Sequence, residues 1–311
     1  MKYALVFPGQ GAQSVGMGKD ICEISKAAKD TYVEADDALG FSLSDIIFNG
    51  PEQKLTLTAY TQPAILTTCI AICRALAEKG IKLAPAYVAG HSLGEYTALV
   101  ASGVLSLADG VRLVHKRGAY MQEAVPEGVG TMAAILGLDA DAVREVCSEA
   151  AQGEVCEAAN FNTPLQTVIS GHTEAVKRAV AIASQKGAKR SVMLKVSAPF
   201  HCSLMRSVAD KLAVEMEKCT WNDVTYPLIA NVSASAVTDI QSIRQGLYAQ
   251  TYSPVRWVES VNVMSKNGID GYIEIGPGKA LSGMIKKIIR HAKTLNVEHV
   301  ADLDKIVEFI A

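Results

Sequence analysis

Short apolar runs such as Ala4–Phe7, Ala86–Ala89 and Tyr272–Ile275 alternate along the chain with longer stretches whose apolar residues recur at helical spacing, among them Ile65–Lys79 and Leu107–Glu123. The runs have strand length and the stretches helix length, so their alternation predicts an α/β architecture. Pro63 stands where one helix would open and Gly80 follows its last turn, which predicts a helix over Pro63–Lys79. In the middle of the chain the order changes. Gly128–Leu136 reads as a strand, Asp139–Ala151 as a helix, Val155–Asn160 and Gln166–Ser170 as strands, Glu174–Gly187 as a helix and Ala188–Val196 as a strand. This βαββαβ order predicts a ferredoxin-like subdomain over residues 126–197, inserted into a core formed by residues 1–125 and 198–311.

Composition narrows the functional classes. The chain has 311 residues, 49% of them hydrophobic and 20% charged, as expected of an ordinary soluble globular protein with a large core. Its 30 basic and 32 acidic residues give no bulk attraction to nucleic acid. The opening apolar run ends at Pro8, too short for a secretory segment, and no later run approaches the roughly 18 residues of a membrane span. Seven cysteines without C-x-x-C spacing argue against a disulfide framework and a zinc site. The expectation is a cytoplasmic protein with neither nucleic-acid nor membrane partner.

The chemistry centres on Gly90-His91-Ser92-Leu93-Gly94, which follows the apolar run Ala86–Ala89 and precedes helix-compatible Leu93–Val104. Gly-x-Ser-x-Gly between strand and helix is the nucleophile-elbow pattern: small flanking residues permit a sharp turn that exposes the serine hydroxyl. At a helix N-terminus the neighbouring N–H groups face developing negative charge. A serine needs a base, and His201, in Ser197-Ala198-Pro199-Phe200-His201-Cys202, lies on a loop tip after an expected strand. Cys202 is a rival nucleophile, but adjacent residues in extended chain point to opposite sides, so His201 would not reach its thiol.

Arg117 lies on a helix whose buried stripe is Leu107, Val111, Val114, Gly118 and Met121 and whose opposite face carries Arg112, Lys116 and Glu123. Beside the stripe its guanidinium meets a pocket ligand, an internal ion pair or, by snorkelling, the surface. Facing a ligand, its planar fork suits a carboxylate. The glycine-rich turn in Phe7-Pro8-Gly9-Gln10-Gly11-Ala12-Gln13 follows the first strand, where an open α/β sheet has its ligand crevice. It lacks the spacing of a dinucleotide site, and Gly276-Pro277-Gly278 reads as a strand-to-helix turn.

Together, Phe7–Gln13, Thr61-Gln62-Pro63, Gly90–Tyr96, Arg117 and Ser197–Cys202 resemble the malonyl-CoA:acyl carrier protein transacylases, as do Asn160–Pro164 and Glu274–Gly278. The resemblance runs nearly end to end. It implies an α/β-hydrolase-like core with a ferredoxin-like subdomain, malonyl-CoA and acyl carrier protein as partners, and no cofactor beyond the coenzyme A thioester that serves as substrate. Residue by residue it implies Ser92 as nucleophile, His201 as base, Arg117 as carboxylate clamp, and the backbone N–H groups of Gln10 and Leu93 as the oxyanion hole. It also implies substrate contacts at Gln62, His91, Asn160 and Phe200, and the Gln250 backbone carbonyl as the group that orients His201. Phe200 would favour malonyl over methylmalonyl, as in related polyketide synthase domains.

Three alternatives stay open on the sequence: a serine hydrolase or thioesterase, a noncatalytic carrier-binding subunit, and a trans-acting acyltransferase serving a polyketide synthase. For docking an acidic carrier, the expected basic surfaces are Lys189-Arg190 and the face of a Lys286-Lys287-Arg290 helix.

Overall fold

The computed structural model describes every residue except Glu127, Lys195 and Ser197. Ten strands form two sheets. Strands β1 (Tyr3–Phe7), β2 (Tyr87–Gly90), β7 (Leu228–Ile229), β8 (Ala236–Val237), β9 (Gly271–Ile275) and β10 (Lys293–Val297) form a sheet in the order β10-β9-β1-β2-β7-β8. All its pairings are parallel except the β7–β8 hairpin at one edge. Strands β3 (Gly130–Leu136), β4 (Cys156–Thr163), β5 (Gln166–His172) and β6 (Arg190–Met193) form an antiparallel sheet in the order β4-β5-β3-β6.

The central strand β1 is buried along its whole length, as a parallel strand covered on both faces must be. Its residues divide by parity. Tyr3, Leu5 and Phe7 join the larger core beneath the helices Thr58–Glu78, Leu93–Ala101 and Leu107–Glu123. Ala4 and Val6 join Trp257, Val261, Leu281 and Ile285 from the helices Trp257–Lys266 and Ala280–Ile288 on the other face. The smaller sheet divides in the same way. Ala133 and Ile135 pack against helices Ala140–Ala151 and Thr173–Gln185, while Met132 and Ala134 turn toward Met121, Phe200 and Met205 of the larger unit. That second face brings β3 to the cleft described below.

Several sequence expectations shift by a few residues. The strand expected over Ala188–Val196 pairs only over Arg190–Met193, with Lys195 outside the described residues. β4 extends to Thr163 because its hairpin to β5 is tight, and β5 extends to His172 because that end pairs with Gly130 of β3. The helix after Ser92 stops at Ala101 rather than Val104. Leu107–Glu123 is helical over the expected span, with the Ser106 hydroxyl accepting the Asp109 N–H at 3.0 Å as its N-cap.

The larger correction concerns Pro63, which lies inside the helix Thr58–Glu78 rather than at its start. A proline there lacks the N–H that would bond the carbonyl four residues earlier. The ring of His115 supplies the replacement, donating from Nδ1 to the Ala59 carbonyl at 2.8 Å. A second departure is Arg290, which lies beyond the end of its helix at Ile288 although Lys286 and Lys287 are exposed on that helix. No described helix is long and apolar enough to cross a membrane.

Candidate active site

The carboxyl ends of three neighbouring parallel strands meet at one point: β1 leads to Gln10, β2 to Ser92, and β7 to Asn231. The crevice at strand ends is where open α/β sheets bind ligands. Ser92 caps the helix Leu93–Ala101 with φ 53° and ψ −105°, a conformation a non-glycine residue holds only against strain of about 1–3 kcal/mol. The flanking glycines are required by contact. A Cβ on Gly90 would run into the Gly94 backbone, and one on Gly94 would run into the Phe7 carbonyl, so the turn and the end of β1 touch backbone to backbone.

Ser92 Oγ lies 2.7 Å from His201 Nε2. His201 Nδ1 lies 2.8 Å from the Gln250 carbonyl oxygen, which can only accept, so Nδ1 carries the proton and Nε2 presents its lone pair to the serine hydroxyl. Burial and then the positive charge of Arg117 push the His201 pKa down to about 3, partly opposed by the Gln250 carbonyl; the imidazole is neutral near pH 7. No carboxylate contacts this ring among the described residues.

Arg117 is 1% exposed, and its guanidinium sits 5.2 Å from the centre of the Tyr96 ring. Nη1 donates to Gln62 Oε1 at 2.8 Å; Nη2 donates to Ser92 Oγ at 3.0 Å and to Gln250 Oε1 at 2.9 Å. Burial lowers its pKa, yet a guanidinium stays charged at neutral pH. Of the alternatives for this side chain, snorkelling to the surface is removed by its burial, and an internal ion pair by the absence of any carboxylate within 4.0 Å among the described residues.

The cleft above Ser92 has a volume of about 130 Å3 and opens to solvent. Gln10, Gln62, His91, Leu93, Arg117, Asn160, Phe200 and His201 line it with Ser92, so nine of the ten residues singled out from sequence share one cavity. The tenth, Gln250, stands behind it and touches Ser92, Arg117 and His201. The N–H groups of Gln10 and Leu93 have no acceptor among the described residues, whereas that of Ser92 is taken by Asn231 Oδ1 at 2.7 Å. His91 Nε2 is 2.8 Å from Asn162 Oδ1, and burial lowers the His91 pKa. Met121, Met132, Leu194 and Val196 complete the lining, an apolar contribution with no signature in the sequence motifs.

Cys202 is buried, donates from Sγ to the Pro199 carbonyl at 3.2 Å, and has its pKa pushed up to about 11 by burial. A thiol so held is a poor nucleophile at neutral pH. Among the described residues no three His, Cys, Asp or Glu side chains gather in a way that could hold a metal ion.

Two polar residues beneath the turn escaped the sequence motifs as functional candidates. Asn231, fully buried, donates from Nδ2 to the Gly90 carbonyl at 2.7 Å while accepting the Ser92 N–H. Glu95, 1% exposed, accepts the Asn231 N–H at 3.0 Å and Gln250 Nε2 at 2.9 Å; burial pushes its pKa up to about 7 against these hydrogen bonds and Arg117.

A serine on a strand-to-helix turn, paired with a histidine and facing a buried arginine, belongs to the acyltransferase class, and residues 4–305 match the family model described as acyl transferase domain. The malonyl CoA-acyl carrier protein transacylase of Escherichia coli strain K12 is 49% identical over 288 residues, 93% of each chain. The solved acyl carrier protein S-malonyltransferase of Vibrio cholerae superposes with a TM-score of 0.96 at 45% identity, covering 98% of this chain and 100% of that one. A malonyl-transacylase solved in complex with its holo type II polyketide synthase acyl-carrier protein superposes with a TM-score of 0.96 at 43% identity, covering 99% of both. The chain belongs to the malonyl CoA-acyl carrier protein transacylase family.

Proposed function

We propose that the chain transfers malonyl from malonyl-CoA to the phosphopantetheine thiol of acyl carrier protein, by a ping-pong path through an ester on Ser92. The observation that carries this reading is the position of Ser92 Oγ, 2.7 Å from His201 Nε2 and 3.0 Å from Arg117 Nη2. A nucleophile thus stands between its base and a cation suited to the free carboxylate of the acyl group. Malonyl-CoA, named for the relatives, carries the free carboxylate that fits that cation.

In the first half-reaction His201 Nε2 takes the Ser92 proton as Oγ attacks the thioester carbonyl. The negative oxygen faces the N–H groups of Gln10 and Leu93, and the intermediate collapses with coenzyme A leaving as a thiol protonated by His201. In the second half-reaction the carrier thiol gives its proton to His201 and attacks the malonyl ester. Ser92 leaves and recovers that proton. The Gln250 carbonyl keeps the imidazole in the tautomer both halves use, and Gln62, His91, Asn160 and Phe200 contact the acyl group.

These steps use side chains and backbone alone, with coenzyme A present as substrate. In this reading residues 1–125 and 198–311 are the catalytic core and residues 126–197 the subdomain that covers the acyl group. Seven free cysteines and coenzyme A thioester chemistry suit a reducing cytoplasm.

Intact-mass analysis tests the proposal. Malonyl-CoA alone should leave a malonyl adduct that maps to Ser92 and clears when holo acyl carrier protein is added, and Ser92→Ala should take up none. Release of free malonate faster than transfer would make the chain a hydrolase. Transfer that persists in Ser92→Ala would overturn the nucleophile.

A further inference from the structure

Glu95 belongs to the first turn of the helix that follows Ser92, yet it lines no part of the cleft and the steps above give it no work. Its single oxygen Oε2 is the point where the polar groups under the site converge. Oε2 accepts the backbone N–H of Asn231 at 3.0 Å and Gln250 Nε2 at 2.9 Å. Those two residues grip the strained serine from both sides. Asn231 Oδ1 accepts the Ser92 N–H at 2.7 Å, and Gln250 Nε2 donates to the Ser92 carbonyl at 3.0 Å.

The Gln250 amide has one orientation. Its nitrogen faces the acceptors Glu95 Oε2, Ser92 O and, at 3.5 Å, Asn231 Oδ1, while its oxygen accepts Arg117 Nη2 at 2.9 Å. A flipped amide would set a donor against the guanidinium and an oxygen against a carboxylate. Glu95 therefore reaches Arg117 through one amide, as a counter-charge above its pKa of about 7 that does not occupy the guanidinium fork. A carboxylate bound directly to Arg117 would compete with an anionic acyl group; one held a residue away does not.

From this geometry we infer that Glu95 is a positioning residue for acyl transfer, fixing the Ser92 turn through Asn231 and Gln250 and aiming the Arg117 fork through the Gln250 amide. The inference rests on the reading of Ser92 and Arg117 given above. Its signature is coupled: loss of Glu95 slows attack by Ser92 and also erodes the preference for an anionic acyl group. A residue that only fills space would be replaced without effect by glutamine, which has the same size and can still turn one oxygen to both donors but carries no negative charge.

The test measures single-turnover acylation of Ser92 with malonyl-CoA and with acetyl-CoA in wild type, Glu95→Gln and Gln250→Met. In Glu95→Gln, acylation by malonyl-CoA should fall about 10- to 100-fold and the malonyl-to-acetyl ratio at least about 5-fold, with the melting temperature recorded for each variant. Gln250→Met keeps the backbone carbonyl at His201 but cuts the link to Arg117, so the ratio should fall there too, and this arm stands even if Glu95→Gln does not fold. Wild-type rates and ratio in a folded Glu95→Gln, or an unchanged ratio in Gln250→Met, would overturn the inference. Failure of wild type to label at Ser92 would instead overturn the underlying function, so the two failures are distinct.

Discussion

Arg117 Nη2 donates to Ser92 Oγ at 3.0 Å, so the cation assigned to the substrate's carboxylate also holds the attacking oxygen. Each proton donated to that oxygen lowers its electron density. In the proposed reaction an arriving carboxylate would compete with Ser92 Oγ for the guanidinium, and binding of the anionic acyl group would release the serine from that donor.

The expected consequence is an acyl-specific defect. Removing one partner of a buried charged hydrogen bond costs about 2–5 kcal/mol. Arg117→Ala should therefore lower kcat/KM for malonyl-CoA by at least about 30-fold while acetyl-CoA loses much less. Arg117→Lys should also be impaired, since an ammonium lacks the planar fork. Steady-state kinetics with both thioesters checks this, and equal losses would remove the clamp.

The same pair sets a pH dependence. Burial and the Arg117 charge both disfavour the imidazolium, holding the His201 pKa at about 3, so its lone pair is available throughout the neutral and mildly acidic range. In Glu95→Gln, which lacks the carboxyl whose own pKa lies at about 7, acylation by malonyl-CoA should stay nearly flat from pH 8 to about 5, where an ordinary imidazole would lose half its activity near 6.5. With Arg117→Ala added, the second largest of the three depressing causes is gone, and the acid limb should move upward. Rapid-quench acylation against pH tests both, and a limb near 6.5 that persists in Glu95→Gln would contradict the geometry.

Gly94→Ala places a methyl group against the Phe7 carbonyl, which has no flexible end to move. Overpacking of this kind costs about 1–3 kcal/mol. Because the displaced backbone carries the Leu93 N–H and adjoins the Gln10 loop, kcat should fall more than KM rises. Thermal unfolding and steady-state kinetics separate the two effects.

His115→Ala leaves the Ala59 carbonyl, orphaned by Pro63, without its donor. An unmet, partly buried acceptor costs about 1–3 kcal/mol, so the urea midpoint should fall, with activity per folded molecule retained. An unchanged midpoint would mean that solvent satisfies this carbonyl.

Pro63 also shows where sequence reasoning stops. The rule that proline opens a helix is a rule about local donors, and here the missing donor is replaced by a side chain from another helix. By contrast, Leu107–Glu123 was fully legible because its apolar stripe and its Ser106 cap are local. The site divides along the same line. Ser92 and His201 carry their setting in adjacent residues, and Gly90 and Gly94 announce the turn. Asn231 follows a two-residue strand and has no neighbouring pattern, so only the parallel pairing of β2 with β7 brings it beneath Ser92. Glu95 left a fainter mark, as the one charged residue of Leu93–Ala101, but the pattern does not reveal that Leu93–Val100 is buried throughout.

Two walls of the cleft come from different sheets of the chain. Loops at the ends of β1 and β2 bring the attacking oxygen and its N–H groups, while Met132, Asn160 and Leu194 come from the four-stranded sheet and its exit. Substitution on the wall formed by the four-stranded sheet should therefore change which acyl chains are admitted while the attacking oxygen and its N–H groups stay in place.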